Sequence, residues 1–165
     1  MKELKITKDN ALKAWKEGTT ELKKAFENLF GSEHFKVSTD ICDHINSFAD
    51  AFEMHPPTPE QRKVLDSGYA PAVAFVSMEI FTKAMNTNPI TKEVWRPDYS
   101  DGNRKWYIWW KYTSGVGFRF GGSSYVDDGT GLGSRLVFET EEKMRHASNC
   151  LDFVAAWNIY SPGKL

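Results

Sequence analysis

Lys105-Trp106-Tyr107-Ile108-Trp109-Trp110-Lys111-Tyr112, followed after Thr113-Ser114 by Gly115-Val116-Gly117-Phe118-Arg119-Phe120, is the stretch that decides the fold. Aromatic and β-branched residues at this density suit a pleated, half-buried surface, and the small polar pair between the runs suits a reversal. The spacing therefore predicts an antiparallel hairpin, which Ser124 to Val126 extends. A further run, Ser134 to Glu139, alternates with Leu136 and Phe138 on one face and Arg135 and Val137 on the other. Together these segments predict a three-stranded antiparallel meander over residues 105–139.

Upstream, the apolar period is that of helices. Thr7 stands before Ala11, Leu12 and Trp15 and can cap a first helix that stops near Gly18. Thr19 or Thr20 caps a second, with Leu22, Ala25, Phe26 and Leu29 as its stripe and Gly31 as a left-handed terminus. A third is expected from Ser38 or Thr39, carrying Ile41, Ile45, Phe48, Ala49 and Phe52 inward until Pro56-Pro57 ends it. Thr58-Pro59-Glu60-Gln61 spells a capping box with proline at the first helical position. Past Gly68 and Pro71, the nearly all-apolar run Ala72 to Met85 reads as the central core helix.

Residues 86–103 are rich in Asn, Pro and Asp and read as a long loop with room for a short helical turn, pinned by Trp95 and Pro97. Thr140-Glu141-Glu142 caps one last helix with Met144, Ala147, Leu151, Val154 and Trp157 inward, ended by Ser161-Pro162-Gly163. The expected class is α+β. A helical N-terminal half, the meander and a C-terminal helix pack in one domain, residues 1–165.

The 165 residues carry 21 basic and 22 acidic side chains, a net charge of −1. That balance supplies no overall field toward nucleic acid or anionic lipid. Cys42 and Cys150 lie far apart and read as two reduced thiols, not a disulfide framework. MKELKITKDN has no apolar run behind its lysines, and no stretch approaches a membrane span, so the expectation is a cytoplasmic protein without membrane attachment.

Chemistry is best sought between Gly115 and Gly133, which holds seven of the twelve glycines interleaved with Phe118, Arg119, Phe120 and Tyr125. Glycine lets a backbone approach a ligand, while aromatic faces and guanidinium groups stack on bases or grip phosphate. The same glycines equally suit a twisted hairpin that relieves crowding opposite large aromatics. The candidate ligand-binding set is Trp109, Phe118, Arg119, Phe120, Tyr125 and Arg135. Gly129-Thr130-Gly131-Leu132-Gly133 lacks the lysine and the strand-to-helix placement of a phosphate loop.

Asp98, Asp101, Asp127 and Asp128 do not have the alternating spacing of a calcium loop and read as turn formers. Cys42 and His44 lack a second close-spaced ligand pair, so no metal or other cofactor is expected. No nucleophile elbow or activated-cysteine motif points to catalysis. Trp106, Tyr107, Trp109 and Trp110 with Arg104, Lys105 and Lys111 also have the composition of a stacking platform for single-stranded nucleic acid. The competing reading packs one aromatic face on the helices and leaves the basic residues wet.

Ile6-Thr7-Lys8 through Asn28-Leu29-Phe30-Gly31, then Trp95-Arg96-Pro97-Asp98-Tyr99-Ser100-Asp101, then Gly133-Ser134-Arg135-Leu136 carry a resemblance that covers most of the chain in order. The chain resembles an uncharacterised family of small proteins borne by phages, prophages and mobile elements of Bacteroides-type gut bacteria. Family members often have cysteine in the strand after Gly-Ser-Arg-Leu, where this chain has Val137, so the resemblance implies no required thiol there. It implies an accessory protein in the host cytoplasm.

The leading expectation is a non-catalytic protein that binds a small anionic, nucleotide-like ligand through the hairpin and its loop, sequestering a defence signal. The alternatives are a structural or interaction component, virion-associated or homo-oligomeric, and a binder of single-stranded nucleic acid, against which the charge balance weighs.

Overall fold

The computed structural model describes residues 7–35, 38–127 and 134–161. The chain separates into two compact units, Met1–Ser38 and Thr39–Leu165.

In the first unit, α1 (Lys8–Glu17) opens on Thr7, whose hydroxyl accepts the Asn10 N–H, and closes at Gly18. Thr19 caps α2 (Thr20–Phe30) in the same way, and Gly31 follows it at a φ of 86°. After a 3-10 turn at Ser32–Phe35, the Phe35 ring stacks on Trp15 at 5.5 Å and meets Phe26 and Phe30 edge-on. Trp15 donates its indole N–H to Glu27 at 3.0 Å. Leu29, assigned to the inward stripe by its spacing, is exposed.

The second unit is organised on α5 (Ala70–Met85), which buries Met78, Phe81, Ala84 and Met85. Pro71 lies inside its first turn, where a missing N–H costs no hydrogen bond, so the helix starts earlier than the expected Ala72. α3 (Phe48–Met54), α4 (Pro59–Leu65), α6 (Glu141–Asn149) and α7 (Leu151–Tyr160) all touch α5. The capping box of α4 is present, Thr58 and Gln61 satisfying one another's backbone N–H groups.

Two expected helices are each broken in two. The segment after Ser38 forms a 3-10 turn at Ile41–Asp43 and then the separate α3. Asp40 caps the first by accepting the Cys42 N–H at 2.9 Å, and Ser47 caps the second by accepting the Asp50 N–H at 3.2 Å. Ser47, extended at φ −148° and ψ 167°, separates the two pieces. At the C-terminus, Cys150 is extended, with φ −69° and ψ 119°, and separates α6 from α7. This break resets the helical phase: Leu151 is 83% exposed, and Phe153 and Ala156 are the buried residues of α7.

The sheet has two strands, β1 (Lys105–Thr113) and β2 (Gly117–Val126), paired antiparallel. The expected third strand is instead a 3-10 turn at Ser134–Leu136 and a single bridge, in which Trp106 and Phe138 exchange N–H···O bonds of 2.9 and 2.7 Å. The other side of this segment is held by a side chain. Asn86 donates to the Val137 carbonyl at 2.7 Å and accepts the Glu139 N–H at 3.0 Å, as a neighbouring strand would. Val137 and Phe138 are both buried, but on different sides: Phe138 joins the core with Leu136 packed against it, whereas Arg135 and Val137 line a cleft, as the expected alternation has it.

A bulge at Trp109/Trp110 decides which residues of β2 share a face. Trp109 pairs with Gly122 and Trp110 with Phe120, so Gly121 is the extra residue. A β-carbon at Gly121 would stand 2.9 Å from Lys111 Cβ and 3.1 Å from the Trp109 carbonyl oxygen, which only glycine avoids. By its pairing, Phe118, Phe120, Ser123 and Tyr125 join the face of Trp106, Ile108 and Trp110, although their numbers change parity. The glycine-rich stretch 128–133 lies outside the described residues.

The long loop carries a Thr87–Val94 bridge in place of a helical turn. Asp98 and Asp101 close turns, Asp98 accepting the N–H and hydroxyl of Ser100 and Asp101 accepting the N–H of Asn103. Lys105, expected to be wet, is fully buried. Its ammonium donates to Asp101 Oδ1 at 2.5 Å, the Asn103 carbonyl at 2.6 Å and the Asp127 carbonyl at 3.0 Å.

Candidate functional site: a basic cleft walled by Trp95

A cleft of about 490 Å³ opens where α5, the Val94–Pro97 stretch and the segment after Ser134 meet. The last turn of α5 supplies Thr82 and Lys83, the loop supplies Trp95, Arg96 and Pro97, and the final segment supplies Arg135 and Val137. The Thr87–Val94 bridge fixes the loop, and the Trp95 N–H donates to the Asn86 carbonyl at 2.8 Å. The wall is therefore anchored to the end of the core helix by backbone bonds.

Three cations face one carboxylate here. Arg135 donates to Glu79 at 3.0 Å, and its side chain is 67% exposed, so much of its fork remains open to solvent. Lys83 and Arg96 have no carboxylate partner among the described residues. Thr82, also in the lining, is buried, and its hydroxyl has no hydrogen-bond partner among the described residues. Arginine forks and a lysine around a half-buried indole can hold a phosphate or carboxylate and stack a flat group.

The electrostatics extend to His55. Its Nε2 lies 2.8 Å from the Thr87 hydroxyl, which already donates to the Lys83 carbonyl at 2.8 Å, so Nε2 carries the proton. Burial and the positive charges of Lys83 and Lys92 lower its pKa from the ordinary value, keeping the ring neutral.

A second cleft of about 740 Å³ shares Asn86, Val94 and Trp95 with the first, but its charge is opposite. Asp40, Glu93, Glu139 and Glu142 line it against Lys143 alone, and Lys143 is bonded to Glu139. Burial, followed by Asp40, pushes the thiol of Cys42 in that lining up to about 12, so it stands protonated at neutral pH. Among the described residues no group of three or more His, Cys, Asp and Glu converges as a metal site needs.

The six residues singled out from the sequence are dispersed. Arg135 lines the basic cleft. Trp109 is 59% exposed, and by the strand register it shares the outer sheet face with Arg119, across from Lys111. Phe118, Phe120 and Tyr125 are on the opposite, helix-facing side, where Phe118 meets Tyr112 at 5.4 Å and Phe120 lies 5.8 Å from the Arg145 guanidinium. Tyr125 meets Trp106 at 5.4 Å, and the Arg104 guanidinium lies 4.2 Å from the Tyr125 ring and 6.0 Å from that of Trp106.

Lys83, Arg96 and Thr82 were not among the sequence candidates. The available signal was an arginine beside a tryptophan and a proline in a long polar loop. Among the described residues no helix is long and apolar enough to cross a membrane. Compared with known proteins, the chain matches no family model, no curated protein and no solved structure.

Proposed function

We propose that this chain is a non-catalytic binding protein for a small anionic ligand of nucleotide type. Lys83, Arg96 and Arg135 hold the anion, and Trp95 packs against the flat group. The observation that carries the reading is the cleft itself, lined by two cations without carboxylate partners among the described residues and by one open guanidinium. The acidic cleft across Trp95 repels the same ligand and restricts it to one side. Resemblance to phage-borne accessory proteins gives this binding the role of sequestering a nucleotide signal.

Calorimetry with inorganic phosphate and a panel of mono-, di- and cyclic nucleotides tests it. Binding that weakens at least ten-fold in Lys83→Ala/Arg96→Ala, and falls with added salt, is expected. A panel in which nothing binds, or binding indifferent to both substitutions, overturns it.

A second reading has one specific observation behind it. Trp109 projects with Lys111 and Arg119 on the outer sheet face, the combination that stacks and neutralises single-stranded nucleic acid. Fluorescence titration with oligothymidine at low ionic strength decides it; no salt-dependent quenching removes the reading.

A further inference from the structure

The basic cleft and the acidic cleft adjoin. Both are lined by Asn86, Val94 and Trp95, which form the boundary the two share. That boundary is held firmly: the Trp95 N–H donates to the Asn86 carbonyl at 2.8 Å, and the Thr87–Val94 bridge pairs the loop with the chain leaving α5. The Asn86 carboxamide is itself taken up by Val137 and Glu139. With its hydrogen bonds already spent, the boundary keeps the two flanks apart.

The flanks carry opposite charge and do not cancel one another. On one side Lys83, Arg96 and Arg135 stand against Glu79, and on the other Asp40, Glu93, Glu139 and Glu142 stand against Lys143. The ion pairs formed stay within a flank, Arg135 with Glu79 and Lys143 with Glu139. Neither Lys83 nor Arg96 reaches a carboxylate of either flank among the described residues. On the acidic side, the Glu93 carboxylate holds only the Thr91 hydroxyl, at 3.3 Å, and that of Glu142 has no hydrogen-bond or ion-pair partner among the described residues. The field therefore changes sign across Trp95.

A plain anion uses half of this field, and the carboxylates beyond Trp95 oppose it. A cation tethered to that anion turns the same carboxylates into a second point of attachment. The indole at the boundary suits both parts, since it stacks flat groups and attracts an ammonium or guanidinium. We infer that the ligand is bipolar: its anionic group lies against Lys83, Arg96 and Arg135, its flat part against Trp95, and an ammonium or guanidinium beyond it beside Glu93 and Glu142. This rests on the anion reading above and narrows its ligand class to molecules charged oppositely at their two ends.

Two matched probe series test it by calorimetry at pH 7.5, where an aryl phosphate is ionised and an alkylamine is protonated. One is phenyl phosphate bearing a para alkyl arm of increasing length, and the other has the same arms ended by an ammonium. At the arm length that spans Trp95, the ammonium compound is expected to bind at least ten-fold more tightly than its alkyl match. Glu93→Gln/Glu142→Gln should remove that advantage and leave the alkyl compounds bound as before or more tightly. Both glutamates are exposed, and either single substitution, which should remove part of the gain, keeps the test decisive if the pair fails to fold. Alkyl compounds that bind with no gain from the ammonium at any arm length overturn the inference and leave the anion reading standing. A gain that the glutamate substitutions do not touch does the same. If neither series binds, both readings fall together.

Discussion

Asn158 holds Phe118 by both of its backbone groups: the Phe118 N–H donates to Asn158 Oδ1 at 2.6 Å, and Asn158 Nδ2 donates to the Phe118 carbonyl at 3.1 Å. The same Nδ2 also donates to the Val154 carbonyl at 2.9 Å on its own helix. The carboxamide thus serves as one residue of an absent strand and ties α7 to β2. Gly117 is required beside it, since a side chain there would run into Asn158 Oδ1, and the φ of 89° suits glycine. Asn158→Ala should lower unfolding free energy by about 1–3 kcal/mol, because two strand groups lose partners in a half-buried place. Urea titration measures it; an unchanged midpoint would show that water replaces the amide without loss.

Asn86 plays the corresponding part for Val137 and Glu139 and is itself buried. Asn86→Asp should destabilise more than Asn86→Ala at pH 7, since a buried carboxylate would face the Val137 carbonyl, acceptor against acceptor. The introduced carboxyl has a raised pKa in the folded state, so the variant is penalised as pH rises above the ordinary carboxylate range. Its deficit relative to the unaltered chain should narrow on acidification, when a protonated carboxyl can donate. A deficit independent of pH between 3 and 7 argues against this account.

Gly121→Ala should cost about 1–3 kcal/mol, because the added carbon meets the Lys111 β-carbon and the Trp109 carbonyl on the facing strand. Gly115 has open space at the same test, so Gly115→Ala pays only for its φ of 75° and should be milder. Paired thermal melts check the order, and the reverse order would mean that the bulge can open without loss.

Acid sensitivity should come in two stages. His55 has its pKa lowered by burial, Lys83 and Lys92, so the unfolded chain takes up its proton first and stability falls as pH drops below about 6.5. Asp101 is held down to about 2 by the Lys105 ammonium and then by Asn103, so its contribution is complete above 3.8 and lost between there and about 2. His55→Gln should flatten the first stage and Asp101→Asn the second. Denaturation midpoints from pH 8 to pH 2 read both, and stages that persist in the variants would assign them to other groups.

The local signals were legible from the chain alone. Thr7, Thr19, Thr58 and Thr140 each cap a helix because a hydroxyl and an N–H three residues on form a self-contained device. The hairpin was visible for the same reason, since its two strands are neighbours in sequence. What failed depends on distant partners. Cys150 breaks the last helix at the point where its thiol donates to the Asn46 carbonyl, more than a hundred residues away, and no periodicity within the segment announces that contact. Asn86 bonds the outer edge of the 137–139 segment from the end of α5, where a helix terminus gave no hint of a strand partner. The basic cleft was hidden likewise, because Lys83, Arg96 and Arg135 belong to three separate elements, and only Arg135 drew attention as a lone cation.

The bulge at Gly121 makes the hairpin a device that counts. A pleated strand interleaves two sets of side chains, and one added residue exchanges them from that point on. Loss of a single residue between Gly117 and Gly121, with the register otherwise kept, would turn Phe118 and Phe120 toward solvent and Arg119 toward the helices. Changes of length in this hairpin are therefore tolerable in twos, or where the added residue moves the bulge along with it. Single-codon deletions scanned through 117–126 should cost least at residue 121, where the loss closes the bulge and leaves every cross-strand pair in place, a length grammar that point substitutions cannot expose.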